Sequence, residues 1–146
     1  MRPLLSRLIV LVVVAIAVAT CSSATSATPS VNDAWARPAA AGGQSAAYFT
    51  ITNPSPTADA LVSASSPGAS TVDVHETTVD GTGMSAMHPV GRVDIPAGQS
   101  VVFKPGSYHL MLMGLSDALT VGHTIELDLV FEHAGKVVVQ APIRQG

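Results

Sequence analysis

Apolar and polar residues alternate with a period of two along much of this chain, in short runs. Val72 and Val74 alternate with Thr71, Asp73 and His75, and Leu110 and Leu112 alternate with His109, Met111 and Met113. Ile125, Leu127 and Leu129 do the same against Glu126 and Asp128. Successive side chains of a strand point to opposite faces, so each run predicts a strand with one apolar face and one face free for other chemistry. Further β-prone runs fall at Ala47 to Thr52, Leu61 to Ser65, Met84 to Met87, Gly91 to Ile95 and Ser100 to Phe103, and Lys136 to Gln140 pairs back on the Ile125 run. Turn signals separate them: Asn53-Pro54-Ser55-Pro56, Pro96-Ala97-Gly98, Lys104-Pro105-Gly106-Ser107 and Ala134-Gly135. Short strands punctuated in this way predict an all-β sandwich or barrel.

The first part of the chain follows another pattern. Arg2 and Arg7 precede an apolar run from Leu8 to Ala19, which has the length of a signal-peptide core and is short for a membrane span. The run ends in Val18-Ala19-Thr20-Cys21, which resembles a lipoprotein cleavage site with Cys21 as the lipidated residue. Ordinary cleavage after Ala17-Val18-Ala19 is the alternative, and a retained membrane anchor is a third. The expected organisation is a signal peptide over 1–20, a flexible tether over 21–32 and one folded domain over 33–146. The expected location is outside the cytoplasm, in the periplasm or on the outer face of the cell membrane.

Charge and cysteine content narrow the function. From residue 33 onward there are five basic residues against ten acidic ones, a formal charge of −5, and the basic residues are scattered. That balance argues against nucleic acid as a partner. Cys21 is the single cysteine, so the folded part has no disulfide, no Cys-x-x-Cys redox site and no thiolate for a blue-copper centre.

Candidate chemistry gathers between His75 and Met113. Every methionine except the initiator lies there (Met84, Met87, Met111, Met113), with His75, His88 and His109. Imidazole and thioether are donors for a soft transition-metal ion, and thioether favours Cu(I). The alternation places His75 off the apolar face of its strand and puts His109, Met111 and Met113 together on one face of theirs.

The chain resembles the periplasmic copper chaperone family called PCu(A)C, whose pattern is a His, a Met and, further along, a His-x-Met. His75, Met87, His109 and Met111 match that pattern. The His75 to Met87 interval is one residue longer than the family's, which is read as an insertion in the Val79 to Gly83 turn and keeps Met84 as a reserve ligand. Asp33-Ala34-Trp35-Ala36-Arg37, Ala46 to Asn53, His75-Glu76-Thr77, Ile95 to Gly98 and Tyr108 to Gly114 are similar to family segments in family order. The resemblance implies a single-domain, cupredoxin-like Greek-key β-sandwich or barrel. It also implies one Cu(I) held by His75, Met87, His109 and Met111, and delivery to a copper-accepting protein such as a cytochrome c oxidase subunit or another copper chaperone. The family's occasional His- and Met-rich tail, with its Cu(II) site, has no counterpart in Gln140 to Gly146, so one copper per domain is expected. Val79 to Ser85 and Lys104 to Tyr108 are expected to form the docking rim, and a monomer is expected.

Other residues carry blander expectations. Met113 is read as packing beside the site, His88 as surface, His123 and His133 as turn residues, and Trp35 as core or edge packing. Glu76 beside His75 does not complete a His-Glu-x-x-His zinc motif, because residue 79 is Val. No nucleophile elbow is present either, so an enzyme is not expected. Copper buffering without a specific acceptor and a metal-free β-sandwich interaction module are the competing functions.

Overall fold

The computed structural model describes residues 27–146, and the alternating runs become ten β-strands with no helix among the described residues. They are β1 (Ser30–Ala36), β2 (Gln44–Thr52), β3 (Asp59–Ser65), β4 (Ala69–Val79), β5 (Ser85–Pro89), β6 (Val93–Ile95), β7 (Ser100–Phe103), β8 (Tyr108–Leu115), β9 (Thr124–Phe131) and β10 (Gly135–Pro142). One sheet has the order β1-β2-β7-β8-β4-β5 and the other β10-β9-β3-β6. Consecutive strands cross between the sheets repeatedly, which gives the predicted two-sheet sandwich. β2 serves two neighbours: Ser45 to Ala47 face β8, and Phe49 to Thr52 face β7.

The core lies between the sheets and consists of the apolar half of each alternating run. Phe49, Ile51, Val72, Val74, Leu110 and Leu112 from the six-stranded sheet meet Leu61, Ile95, Leu127, Leu129 and Phe131 from the other. Phe49 and Phe103 stack with ring centroids 4.5 Å apart. Burial of these side chains contributes about 1.5–3 kcal/mol each, the main term holding the sheets face to face. The alternate residues of β2, β4 and β8 therefore stand on the outer face of the six-stranded sheet.

Strand limits differ from the sequence reading in two places. β1 begins at Ser30, inside the stretch assigned to the tether, and Ser30, Val31 and Asn32 pair with Thr52, Ile51 and Thr50. Those three residues lack an apolar alternation; β2 supplies the ladder that orders them. The register then slips between Asn32 and Trp35, with Asp33 at φ 54°, a bulge that re-aims Trp35. In the second place, β4 runs four residues past His75, and its hairpin partner β5 starts at Ser85. The predicted signal peptide over 1–20 and the lipid site at Cys21 lie outside the described residues.

A buried carboxylate fastens the β9–β10 turn. Asp59, at the start of β3, accepts the amides of Ala60 (2.8 Å), His133 (2.9 Å) and Ala134 (3.0 Å). Burial alone would raise its pKa, but the amide bonds from His133, Ala60 and Ala134 outweigh that and hold it below the ordinary 3.8. A carboxyl whose folded pKa is depressed stabilises the fold above its unfolded pKa and loses that contribution as pH falls through the folded value. Asp59→Ala leaves three amides without their acceptor and is expected to cost about 1–3 kcal/mol at pH 7. In denaturant titrations the gap between wild type and variant closes as pH is lowered through and below 3.8. A gap that stays constant with pH contradicts this assignment.

Candidate metal centre

β4 and β8 are antiparallel neighbours, and their register sets His75 directly opposite His109. Cross-strand partners share a face, and the two imidazole rings stand with centroids 5.8 Å apart at 53°. Met111 follows His109 by two residues and lies on the same outer face, between Asp73 of β4 and Ala46 of β2. Met87 reaches this face from β5, opposite Thr77, which is two residues beyond His75. Four side chains from three strands thus gather on one sheet face, His75, His109 and Met111 because they alternate with core residues and Met87 because it pairs with Thr77.

The surroundings differ for each group. His109 is only 4% exposed although it lies outside the apolar core, because Tyr48 of β2 and the β7–β8 loop cover it. The Tyr48 ring centroid is 6.4 Å from that of His109, and Tyr48 in turn stacks on Trp35 at 4.7 Å. His109 Nδ1 lies 3.1 Å from the Ser107 carbonyl. A carbonyl can only accept, so Nδ1 carries the proton and Nε2 keeps the free lone pair. The same carbonyl accepts the Thr77 amide at 3.1 Å, tying the loop to β4. Gly106, at φ 79°, makes the turn that presents this carbonyl.

His75 Nδ1 is buried and has no hydrogen-bond partner. An unsatisfied buried polar nitrogen is costly and uncommon, and a bound metal ion is one way to satisfy it. A cavity of about 280 Å³ is lined by Met87, His109 and Met111 together with Tyr48, Thr77 and Arg37, and His75 stands behind His109 and Thr77 without lining it. No group of three or more His, Cys, Asp or Glu occurs among the described residues, so the centre offers soft donors and no carboxylate cage.

The remaining candidates fall elsewhere. Met84 sits in the β4–β5 turn, 70% exposed and outside the cavity lining. Asp80 closes that turn by accepting the amides of Thr82 and Met84, and beyond it Thr77 pairs with Met87. The Thr82 hydroxyl and the Thr82 and Met84 amides lower the Asp80 pKa against a smaller desolvation effect. Met113 is on the ligand face one position further along, between Gln44 and Thr71. His88 turns to the opposite face and bonds Thr78 at 2.9 Å, and Glu76 is its cross-strand partner there. His123 lies in another cavity with Leu119 and Ile143, and His133 lies by Asp59.

Tyr48, Thr77, Arg37 and the Ser107 carbonyl are site residues that sequence reasoning did not single out. For Tyr48 a signal existed: Ala47 and Phe49 are core residues, so alternation places Tyr48 on the ligand face.

The chain was compared with known proteins. Residues 30–143 match the family model described as "Putative lipoprotein LpqE-like". The "Putative lipoprotein Lxx21020" of Leifsonia xyli subsp. xyli is 32% identical over 114 residues, covering 78% of this chain and 68% of that protein. Among solved structures, the Cu(I) form of DR1885 from Deinococcus radiodurans is 30% identical with a TM-score of 0.61, covering 86% of each chain. The apo PCuAC domain from PmoF1 is 28% identical with a TM-score of 0.67, covering 82% of this chain and 96% of that one. The copper-bound PCuAC domain from PmoF2 shares the fold at 23% identity, with a TM-score of 0.68 over 82% of this chain and 95% of its own. With the family model spanning nearly all the described strands and these folds beside it, the chain belongs to the LpqE-like family, which is the PCu(A)C family.

Proposed function

We propose that this protein is an extracytoplasmic copper chaperone that binds one Cu(I) through His75, Met87, His109 and Met111 and passes it to an acceptor protein such as the copper centre of cytochrome c oxidase. The observation that carries the reading is the pairing of His75, whose Nδ1 is buried and unpartnered, with His109 on the sheet face that also bears Met87 and Met111. Two imidazoles and two thioethers are neutral donors, so Cu(I) is held without burying a thiolate charge. Kinship with the Cu(I) form of DR1885 supports the metal. The named lipoprotein relative supports an exported chain anchored through a lipid on Cys21.

Exposure divides the ligands by task. His109 is buried and fixed by the Ser107 carbonyl, whereas Met87 is 59% exposed on an edge strand. His109 acts as the anchor, and Met87 is the thioether that an incoming acceptor ligand displaces first. Release then proceeds by ligand substitution, with no acid, base or redox step required, which fits a carrier and not an enzyme.

X-ray absorption on the Cu(I)-loaded full chain tests the ligand set. Both nitrogen and sulfur scatterers are expected around one copper per chain. Met87→Leu is expected to remove one sulfur and weaken Cu(I) retention by about 10-fold or more, whereas Met84→Leu leaves the spectrum unchanged. The reverse result would move the ligand role to Met84.

A further inference from the structure

From residue 33 onward the chain is acidic, yet its cations fall into two groups. Arg92 bonds Asp94 and Glu132 at 2.6 and 2.7 Å, and Lys136 pairs with Asp128. These pairs involve the four-stranded sheet and its turns, away from the candidate metal centre. Arg37, Lys104 and Arg144 have no carboxylate within 4.0 Å among the described residues, and all three are exposed. One of them lines the cavity beside the candidate metal centre, and the other two adjoin residues connected to its wall. Arg37 lines it, Lys104 begins the loop whose Pro105 and Gly106 wall it, and Arg144 packs on Trp35, the ring stacked on Tyr48.

Two of these cations are held in place by aromatic faces. The Arg37 guanidinium carbon is 5.6 Å from the Tyr48 ring centre, and that of Arg144 is 4.8 Å from the Trp35 ring. A guanidinium held over an aromatic face retains N–H groups for carboxylates, which arginine captures in pairs of hydrogen bonds. Asp73 shares the ligand face but lies across Met111 from Ala46, on the side away from Arg37. The Asp80 carboxylate at the hairpin tip is engaged by Thr82 and Met84.

We propose that Arg37, Lys104 and Arg144 form a cationic rim that docks an acidic protein surface onto the mouth of this cavity. That the docked partner receives copper rests on the function proposed above; the rim's preference for carboxylates does not. Opposite charge speeds encounter, and complementary charges help fix the register of the docked partner. An anionic membrane is a poorer match, because lipid-binding basic clusters use about 4–8 Lys or Arg, whereas this rim has three within a region of formal charge −5.

The test uses the metal-free, ¹⁵N-labelled full chain, so it is independent of copper binding. It is titrated with hexaglutamate, with hexalysine and with phosphatidylglycerol vesicles, beside the triple variant Arg37→Gln, Lys104→Gln, Arg144→Gln and the single variant Lys104→Gln. Hexaglutamate is expected to shift the Arg37, Lys104 and Arg144 resonances and the Trp35 indole. Its binding is expected to weaken about 10-fold when salt rises from about 25 to about 250 mM. The triple variant loses the response, Lys104→Gln retains a reduced one, and hexalysine gives none. Absence of rim shifts, shifts that persist in a folded triple variant, or rim-dependent vesicle binding stronger than peptide binding would overturn the proposal.

Discussion

His109→Ala is expected to lower Cu(I) affinity by about 100-fold or more, since altering even the groups that orient a metal ligand costs about 10–100-fold. The expectation follows from how firmly the imidazole is held. Its Nδ1 proton is committed to the Ser107 carbonyl, Tyr48 and His75 flank the ring, and it is 4% exposed. Alanine removes the Nε2 lone pair and the ring beside His75. Met113→Leu, on the same face but between Gln44 and Thr71, is the control and leaves affinity unchanged. Anaerobic competition against a chromophoric Cu(I) chelator reads both. Equal affinities in wild type and His109→Ala would remove His109 from the site.

Leu110→Ala is expected to act on stability, because Leu110 points the other way on the same strand. It is fully buried in the inter-sheet core and lies between the candidate ligands His109 and Met111 in sequence. Truncating such a leucine costs about 2–5 kcal/mol through lost burial and the cavity left behind. Domains of this kind have about 5–15 kcal/mol in total. Urea titration is expected to show a lower midpoint with an unchanged slope, and the fraction that remains folded still takes up Cu(I). A midpoint equal to wild type would mean that the face assignment of β8 is wrong. The contrast between positions 109 and 110 is the alternation of one strand expressed as two separate properties.

That alternation is why much of the architecture was legible. Valines and leucines at every second position of the β4 and β8 runs mark the core face, so the strand class and the placement of His75, His109 and Met111 opposite that face follow from chain geometry. The pairing of β4 with β8, which sets His75 against His109, is a long-range register that no local pattern encodes. β1 escaped for a related reason. Ser30, Val31 and Asn32 offer one apolar residue, too few to show a period, and they become a strand by completing the β2 ladder. Tyr48 and Arg37 were missed because their roles come from strands adjacent in space and not in sequence. The position of Met87 opposite Thr77 rests on the β4–β5 hairpin register, and the Asp80 hydrogen bonds that close its turn depend on the folded loop.

The proposed Cu(I) site occupies the outer face of β4, β5 and β8. The most direct measurement is the stoichiometry of metal uptake by the full chain under anaerobic conditions, titrating Cu(I) against a chromophoric chelator in one arm and Zn(II) against its own indicator in the other. One tightly held equivalent of Cu(I) and no tight Zn(II) are expected. Absence of tight Cu(I), or Zn(II) bound as firmly as Cu(I), would contradict the proposed site.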